Sequence, residues 1–399
     1  MIMKRFFSIL LLGSLLACCT KMDSIDLNGV FYEVINDDDV DFSMTPLFDP
    51  TLGDLSKYFF FIDKDIIFRA AAIKYKTVLP DNTTEVWASG VVYHPINKKS
   101  RGVIDFMPTA HLERGGAGSE LLYAIEGVLA FQAYTIIMPD LIGCGISDNH
   151  PMPFLMVENT GRVSYDMRQA AAKYLLEEFG YELPAETVIM GYSLGGSAAL
   201  ATQKYYETHH ANTIKVEKVF ASSGVYDLPV AFEAFSKSGL SEYVAIPSTI
   251  FGLNHYYNLN LDYTKIFIGE LKDNLINDNG SWLFGPGRLK AQQIINKLGR
   301  HIDNYMHPDF FLSWEDQKST EFGKLHNVMI ENSISRGWRP KAPIYMTHCF
   351  EDTYVPLECA EAAIANFRKA GANVSFFSYP GTHNTVGYLF FLNLILSHI

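Results

Sequence analysis

The sequence predicts an α/β fold in which a mostly parallel sheet is flanked by helices. Two observations support this prediction. Short apolar runs of the kind that form buried strands alternate with helical patterns over most of the chain. At residues 187–206, one such run passes through a glycine-rich turn directly into a helical pattern of small residues, which is a common strand–turn–helix arrangement in these sheets.

Eight segments have the pattern of strands. Residues 66–79 and 85–94 are expected to form a hairpin, because the turn residues Pro80, Asp81 and Asn82 separate them. The remaining runs are short and apolar, as parallel strands buried on both faces are. They comprise residues 103–107, 134–139, 187–190, 216–221, 344–347 and 374–379.

Helical patterns fill the intervals between these strands. The clearest covers residues 164–179 and ends before Gly180, a residue type that commonly caps a helix C-terminus. A last apolar helix is expected over residues 385–398, and it is too short to span a bilayer.

The alternation of strands and helices is interrupted after Tyr226. Residues 229–340 contain helical patterns and many aromatic residues but no clear strand, and this stretch is too long for a loop. We therefore expect a helical cap inserted between the sixth and seventh core strands, which divides the α/β core into residues 51–228 and 341–399. Aromatic residues of the cap such as Trp282 are expected to line a pocket or to form the cap's own core.

The N-terminus has the layout of a secretory signal. Lys4 and Arg5 precede an apolar stretch that ends at Ala17, directly before Cys18. This resembles a bacterial lipoprotein signal, in which the cysteine becomes lipidated; the alternative is an ordinary signal peptide that ends near a cysteine. We expect residues 1–17 to be removed, Cys18 to carry the lipid, and residues 18–50 to form a tether followed by the N-terminal approach to the fold. The expected location is the bacterial cell envelope, with the lipid as the membrane contact.

Composition excludes several classes of partner. The formal net charge is −12 and Lys and Arg do not cluster, which argues against nucleic-acid binding. The five cysteines are too few and too scattered for a disulfide framework, so Cys349 and Cys359 are expected to be buried thiols rather than a pair. Ligand motifs for zinc do not occur, and we expect neither a metal nor a cofactor.

One motif carries nucleophilic chemistry. Gly191-Tyr192-Ser193-Leu194-Gly195-Gly196 stands between a strand and a helix, which is the context that a G-x-S-x-G elbow requires. The tight turn needs very small residues at Gly191 and Gly195. It would expose the Ser193 hydroxyl above the strand ends and place the Leu194 N–H where it can stabilise an oxyanion.

A serine nucleophile needs a base and an acid, and in folds of this kind they follow it in the order acid, then histidine. His383 lies in the loop after residues 374–379, at a strand end where a catalytic residue belongs. Asp352 follows residues 344–347 and is our choice for the acid, while the adjacent Glu351 is the alternative.

From about Ile66 to the C-terminus, apart from the insert, the chain resembles the α/β-hydrolase superfamily and its secretory lipase and esterase branch. Residues 140–147 match the family's D-x-x-G-x-G-x-S loop, and His150-Pro151 follows as in secretory lipases. The family usually carries His-Gly after its third strand, where a backbone N–H supplies the second oxyanion donor. Here residues 106–110 read Phe-Met-Pro-Thr-Ala, and because proline has no N–H, Thr109 is the expected donor.

The resemblance implies a carboxylesterase or lipase that acts on a small-molecule ester or acylated substrate through an acyl-enzyme. Two alternatives remain at this point. A serine exopeptidase of the aminopeptidase type shares the fold and the triad chemistry, and a binding lipoprotein without activity can share the fold alone.

Overall fold

The computed structural model describes residues 22–23, 26–44, 62–110, 115–122, 125–241, 244–310 and 320–399. A nine-stranded sheet organises these residues, in the order β1-β2-β3-β5-β4-β6-β7-β8-β9. The strands are β1 (Tyr32–Val40), β2 (Phe68–Val78), β3 (Glu85–Pro95), β4 (Val103–Met107), β5 (Thr135–Pro139), β6 (Glu186–Tyr192), β7 (Lys215–Ser222), β8 (Ile344–Cys349) and β9 (Val374–Tyr379).

The sheet is antiparallel at one end and parallel over the rest. β1, β2, β3 and β5 pair antiparallel in that order, whereas every pairing from β5 through β4, β6, β7 and β8 to β9 is parallel. All eight predicted strands are present, and the prediction of a mostly parallel sheet is confirmed. The parallel arrangement brings the carboxyl ends of β6, β8 and β9 to one edge of the sheet.

Strand β1 corrects the prediction that residues 18–50 form a tether. Its acidic side chains pair across to basic residues of β2: Asp37 and Asp39 contact Arg69 at 2.5 and 2.6 Å, and Glu33 contacts Lys74 at 2.7 Å. The strand is exposed along nearly its whole length. Its sequence therefore lacks the apolar run that signals a buried strand, and cross-strand charge pairs hold it on the sheet edge instead.

Helices occupy the intervals between the strands. They are α1 (Gly118–Leu121), α2 (Val157–Phe179), α3 (Leu194–His209), α4 (Leu228–Ser238), α5 (Ala245–Tyr257), α6 (Gly269–Asn277), α7 (Ala291–Leu298), α8 (Thr320–Glu331), α9 (Leu357–Lys369) and α10 (Tyr388–Leu396). Helix α2 ends at Gly180, which has φ 61° and caps the helix as predicted.

Successive residues of the central strands point to opposite sides of the sheet, and both sides are covered. On one side, Met190 and Phe220 pack against α10 and the short helix Ile125–Gln132. On the other side, Ile189 and Val219 pack against α3 and α9. Burial of both faces explains why β4 and β5 are mostly apolar. The exception within β4 is Asp105, which is paired with the buried Arg168 at 2.9 Å.

The segment between β7 and β8 contains α4 to α8 and has an apolar core of its own. That core includes Leu141, Met152 and Leu194, so the segment covers the carboxyl edge of the sheet beside Ser193. At its base, Arg336 donates two hydrogen bonds to the buried Asp227 carboxylate, at 2.7 and 2.8 Å, which joins the two ends of the insert. With β1 counted, the insert lies between the seventh and eighth strands, and its flanking strands are the two that were predicted.

Across the described part of the chain, we find no helix with the length and apolarity needed to cross a membrane.

Candidate active site

Ser193 occupies the sharp turn between β6 and α3. Its backbone has φ 60° and ψ −125°, a conformation that a residue with a side chain adopts at a cost of about 1–3 kcal/mol. A hydrogen bond of 2.9 Å from its N–H to the Ser222 carbonyl of β7 holds the strained residue in place. The turn therefore has the geometry that the elbow motif predicts, with the hydroxyl half-buried.

The glycines two residues before and after Ser193 are required by space. A Cβ atom on Gly191 would lie 2.0 Å from the Gly195 carbonyl oxygen. One on Gly195 would lie 2.3 Å from the Met107 carbonyl oxygen and 2.8 Å from that of Pro108. Both contacts are with main-chain atoms, which cannot move aside cheaply, so larger residues would open the turn.

The structure brings His383 against Ser193 and Asp352 against His383. His383 Nε2 lies 2.8 Å from Ser193 Oγ, and His383 Nδ1 lies 2.7 Å from Asp352 Oδ2. The three residues follow β6, β8 and β9, so the carboxyl edge of the sheet assembles them. The rings of Tyr192 and Tyr354 lie 5.1 and 5.2 Å from the imidazole and limit its rotation.

Asp352 and Glu351 have different surroundings in the structure. The Asp352 side chain is fully buried, and its Oδ1 accepts hydrogen bonds from the N–H groups of Tyr354 and Val355 at 3.0 and 2.8 Å. Glu351 is exposed, and its contribution is a main-chain hydrogen bond of 3.1 Å to the Gly381 carbonyl, which ties the acid loop to the histidine loop. Asp352 is therefore the carboxylate in contact with His383.

A second histidine, which sequence reasoning missed, lies beneath the acid. His348 is buried at the end of β8, with Nε2 at 3.0 Å from the Val355 carbonyl and 3.4 Å from Asp352 Oδ2. Burial lowers its pKa, so the ring is neutral and donates from Nε2 to the Val355 carbonyl. The histidine thus closes the loop that carries Asp352. In the sequence, the only sign of this role is that His348 lies four residues before Asp352.

The expected oxyanion donors lie beside the elbow. Leu194 is the first residue of α3, so its N–H has no partner within the helix. The segment through Met107 and Pro108 runs directly against Gly195, which brings Thr109 close to the elbow. The Thr109 hydroxyl donates to Glu126 at 3.4 Å, and the residue lines a cavity of about 210 Å³.

Hydrogen bonds to the Asp140 side chain hold the loop of residues 140–147 in place. The buried Asp140 carboxylate accepts hydrogen bonds from the Ser89 hydroxyl at 2.6 Å and from the hydroxyl and N–H of Ser119. Burial raises the pKa of Asp140. Gly145 has φ 54° and leaves no room for a Cβ, which would lie 2.2 Å from the Ser89 hydroxyl. These residues shape one wall of the site.

Two larger cavities lie under the insert. One, of about 480 Å³ including space open to solvent, borders Leu194 and Ser197 of α3. The other, of about 330 Å³ on the same basis, borders Phe251 and Trp282 of the insert. Met152 lines both, and it also lines the cavity at Thr109. Trp282 packs against the insert's core as well, so it fulfils both roles expected of such aromatics.

The described residues contain no group of three His, Cys, Asp or Glu side chains placed to hold a metal ion. Cys144, Cys349 and Cys359 are buried and form no disulfide bond with one another, as expected for thiols that fill space in a core. Cys18, the predicted lipid site, lies outside the described residues.

Comparison with known proteins gives structural relatives only. No protein-family model matches the sequence, and neither does any curated protein. A structure described as a "putative hydrolase" from Legionella pneumophila superposes with a TM-score of 0.75 at 19% identity, covering 92% of this chain and 96% of its own. The ligand-bound rice cell wall degrading esterase LipA from Xanthomonas oryzae gives 0.71 at 22%, covering 92% and 95%.

Candida antarctica lipase A is a more distant match, with a TM-score of 0.61 at 15% identity over 89% of this chain and 78% of its own. These identities are low, so the likeness concerns the fold. Together with the sheet order and the strand–elbow–helix geometry, it shows that the chain has the α/β-hydrolase fold.

Proposed function

We propose that this protein is a serine hydrolase that cleaves carboxylic esters through an acyl-enzyme on Ser193. The observation that carries the proposal is the continuous hydrogen-bond chain from Ser193 Oγ to His383 Nε2, at 2.8 Å, and from His383 Nδ1 to Asp352 Oδ2, at 2.7 Å. The esterase and lipase names of the similarly folded structures agree with this choice.

The buried Asp352 selects the histidine tautomer. Because an ionised carboxylate only accepts hydrogen bonds, His383 carries its proton on Nδ1 and leaves Nε2 free to accept the proton of Ser193. As Ser193 Oγ attacks the ester carbonyl carbon, that proton moves to Nε2. The imidazolium that results is stabilised by Asp352, whose negative charge is held away from water.

The tetrahedral oxyanion would form beside the start of α3. The Leu194 N–H and the positive end of the helix face that position, and we assign the Thr109 N–H as the second donor. Protonation of the alcohol oxygen by His383 then breaks the ester bond. Water attacks the acyl-enzyme by the same steps, with His383 as base, and releases the acid and free Ser193.

The lining of the two larger cavities favours esters over peptides. An aminopeptidase must bind the charged amino group of its substrate, which requires a carboxylate near the scissile bond. The described residues around the cavities of about 480 and 330 Å³ carry no charged side chain. Asp140, which lines the smaller cavity at Thr109, is buried and already accepts hydrogen bonds from Ser89 and Ser119. Such a lining suits the uncharged acyl part of an ester.

The direct test offers the purified protein p-nitrophenyl esters of several chain lengths and aminoacyl anilides. We expect ester cleavage, with a loss of at least ~10⁴-fold in kcat for Ser193→Ala. A fluorophosphonate should label wild type and the control Ser238→Ala, which changes an exposed serine at the end of α4, but not Ser193→Ala. Cleavage of anilides without esters would favour the exopeptidase. Absence of both turnover and labelling would refute both enzyme functions and leave a binding lipoprotein.

We also propose that Cys18 anchors the protein to the bacterial envelope by a lipid. The Asp23 N–H donates to the Asn212 carbonyl at 2.9 Å, so the folded body begins five residues after Cys18 and lies within about 17 Å of the anchor. Radiolabelled fatty acid should be incorporated by wild type and by Cys19→Ser. Equal incorporation by Cys18→Ser would contradict the assignment.

A further inference from the structure

Tyr192, the residue before the nucleophile, reaches the main chain of the base. Its hydroxyl donates a hydrogen bond to the carbonyl oxygen of His383 itself. Tyr192 ends β6 and is 4% exposed, and its ring packs against Phe391 as well as the imidazole. One side chain thus links the strand that carries the nucleophile to the residue that supplies the base.

Gly387 supplies the space for that hydroxyl. A Cβ atom on Gly387 would lie 2.4 Å from the Tyr192 hydroxyl and 3.2 Å from Cys349 Sγ. The backbone at Gly387 has φ −58°, which any residue adopts, so the need for glycine here is spatial and not conformational. Gly387 closes the helical turn His383–Gly387, and the hydroxyl lies against the outside of that turn.

The base needs such a restraint because it is the first residue of a short helical turn and must satisfy two short contacts at once. His383 follows β9 by four residues, and both ring nitrogens have partners within 2.8 Å. A small displacement of its main chain would break one of them. Burial raises the pKa of Tyr192 well above its ordinary value, so the phenol stays a neutral donor at every working pH.

We infer that Tyr192 is a positioning residue for the base, which fixes the His383 main chain so that the imidazole meets Ser193 and Asp352 together, and that Gly387 is required to admit its hydroxyl. The catalytic part of this inference rests on the proposed function. The positional part concerns the geometry of His383 and can be measured without turnover.

The test replaces Tyr192 with phenylalanine, which keeps the ring and removes the hydroxyl. We expect kcat for ester cleavage to fall about 3- to 10-fold with KM unchanged, and the rate of fluorophosphonate labelling to fall by the same factor. Tyr75→Phe is the matched control, because Tyr75 is a buried tyrosine whose hydroxyl also donates to a main-chain carbonyl, that of Val163 at 3.3 Å, away from the site. It should leave both rates unchanged.

A second variant makes the result independent of simple destabilisation. Gly387→Ala alone should lower kcat at least as much as Tyr192→Phe, because the new Cβ displaces the hydroxyl. In the Tyr192→Phe background the same alanine should cost less than twofold, since the hydroxyl is already gone. Equal losses from Gly387→Ala in the two backgrounds would overturn the role given to Gly387.

A spectroscopic readout separates this inference from the proposed function. In nitrogen-labelled protein, the proton between His383 Nδ1 and Asp352 should give a downfield NMR signal, assigned by its loss in His383→Gln. Its exchange with water should be at least threefold faster in Tyr192→Phe than in wild type and Tyr75→Phe. Unchanged exchange together with unchanged labelling would refute the inference, whereas an inactive wild type with faster exchange in Tyr192→Phe would refute only the hydrolase function.

Discussion

Met152 is the shared wall of the cavities under the insert, and its substitution should change the acyl chain length that the protein prefers. The residue stands between Pro151 and Pro153, and its main chain is pressed against two glycines: a Cβ on Gly143 would lie 2.8 Å from Met152 Cα, and one on Gly252 would lie 2.7 Å from the Met152 carbonyl oxygen. The backbone is therefore fixed. Met152→Ala removes the side chain beyond Cβ and joins spaces of about 480 and 330 Å³.

The size of the effect follows from the apolar lining. Each methylene that leaves water for an apolar cavity contributes ~0.8 kcal/mol, or roughly fourfold in kcat/KM while the cavity is filling. When half of this gain is realised for the four extra methylenes of a dodecanoyl chain, the dodecanoate-to-octanoate ratio of kcat/KM rises about 15-fold in Met152→Ala.

The assay measures kcat/KM for p-nitrophenyl esters from acetate to hexadecanoate at a temperature where each variant is folded. Met152→Leu, which nearly conserves volume, is the control and should keep the wild-type profile. Met152→Ala is expected to lower stability by about 2–4 kcal/mol, so thermal unfolding is recorded alongside. A profile that only scales down, with the same optimum as wild type, would show that the acyl chain does not use these cavities.

Three further predictions follow from the site and the core. Asp352→Asn should lower kcat by roughly 10³- to 10⁴-fold, while Glu351→Gln, which changes an exposed side chain, should stay within twofold of wild type. A similar loss of kcat in both variants would contradict the choice of Asp352 over Glu351 as the acid. Ser193→Gly should be about 1 kcal/mol more stable in urea unfolding than Ser193→Ala, because glycine adopts φ 60° without strain; an equal or lower stability would contradict the strained turn. Burial lowers the pKa of His94 to about 4 in the folded protein. As the pH falls below 6.5, His94 is therefore protonated in the unfolded chain before it is protonated in the folded one. About 2 kcal/mol of the folding stability that is present above pH 6.5 is lost by pH 4. Urea unfolding at several pH values should show a flatter dependence for His94→Gln, and an unchanged slope would exclude this histidine as the cause.

The features that sequence reasoning found are those set by local constraints. A strand buried on both faces must be mostly apolar, and a turn whose Cβ positions meet main-chain atoms within 3 Å must use glycine. The sequence alone therefore identifies β6 and the elbow at Ser193. Asp352 and His383 could be chosen because each follows a strand that the sequence pattern identifies. Their order along the chain then matched the one that the fold requires.

The features that it missed depend on partners far away in the chain. Strand β1 is exposed and acidic, and only the basic residues opposite it on β2 make it a strand. Tyr192 reads as one of many buried aromatics until the fold places it against His383, 191 residues further on. The cavities beside Met152 arise from the packing of the insert on the sheet edge, and no periodicity along the chain encodes their volume.

In the candidate site, rigid neighbouring segments hold Ser193 in a strained backbone conformation. Ser193 keeps an unfavourable backbone conformation because β7 binds its N–H, the segment at Met107 and Pro108 packs against Gly195, and α3 begins at the next residue. Each of these supports is part of the central sheet or rests on it, where opening costs most. His383, by contrast, begins the single helical turn before α10, outside the sheet, and its alignment relies on a few contacts. We therefore expect the base, and not the nucleophile, to be the member of the triad whose geometry is most sensitive to substitutions outside the site.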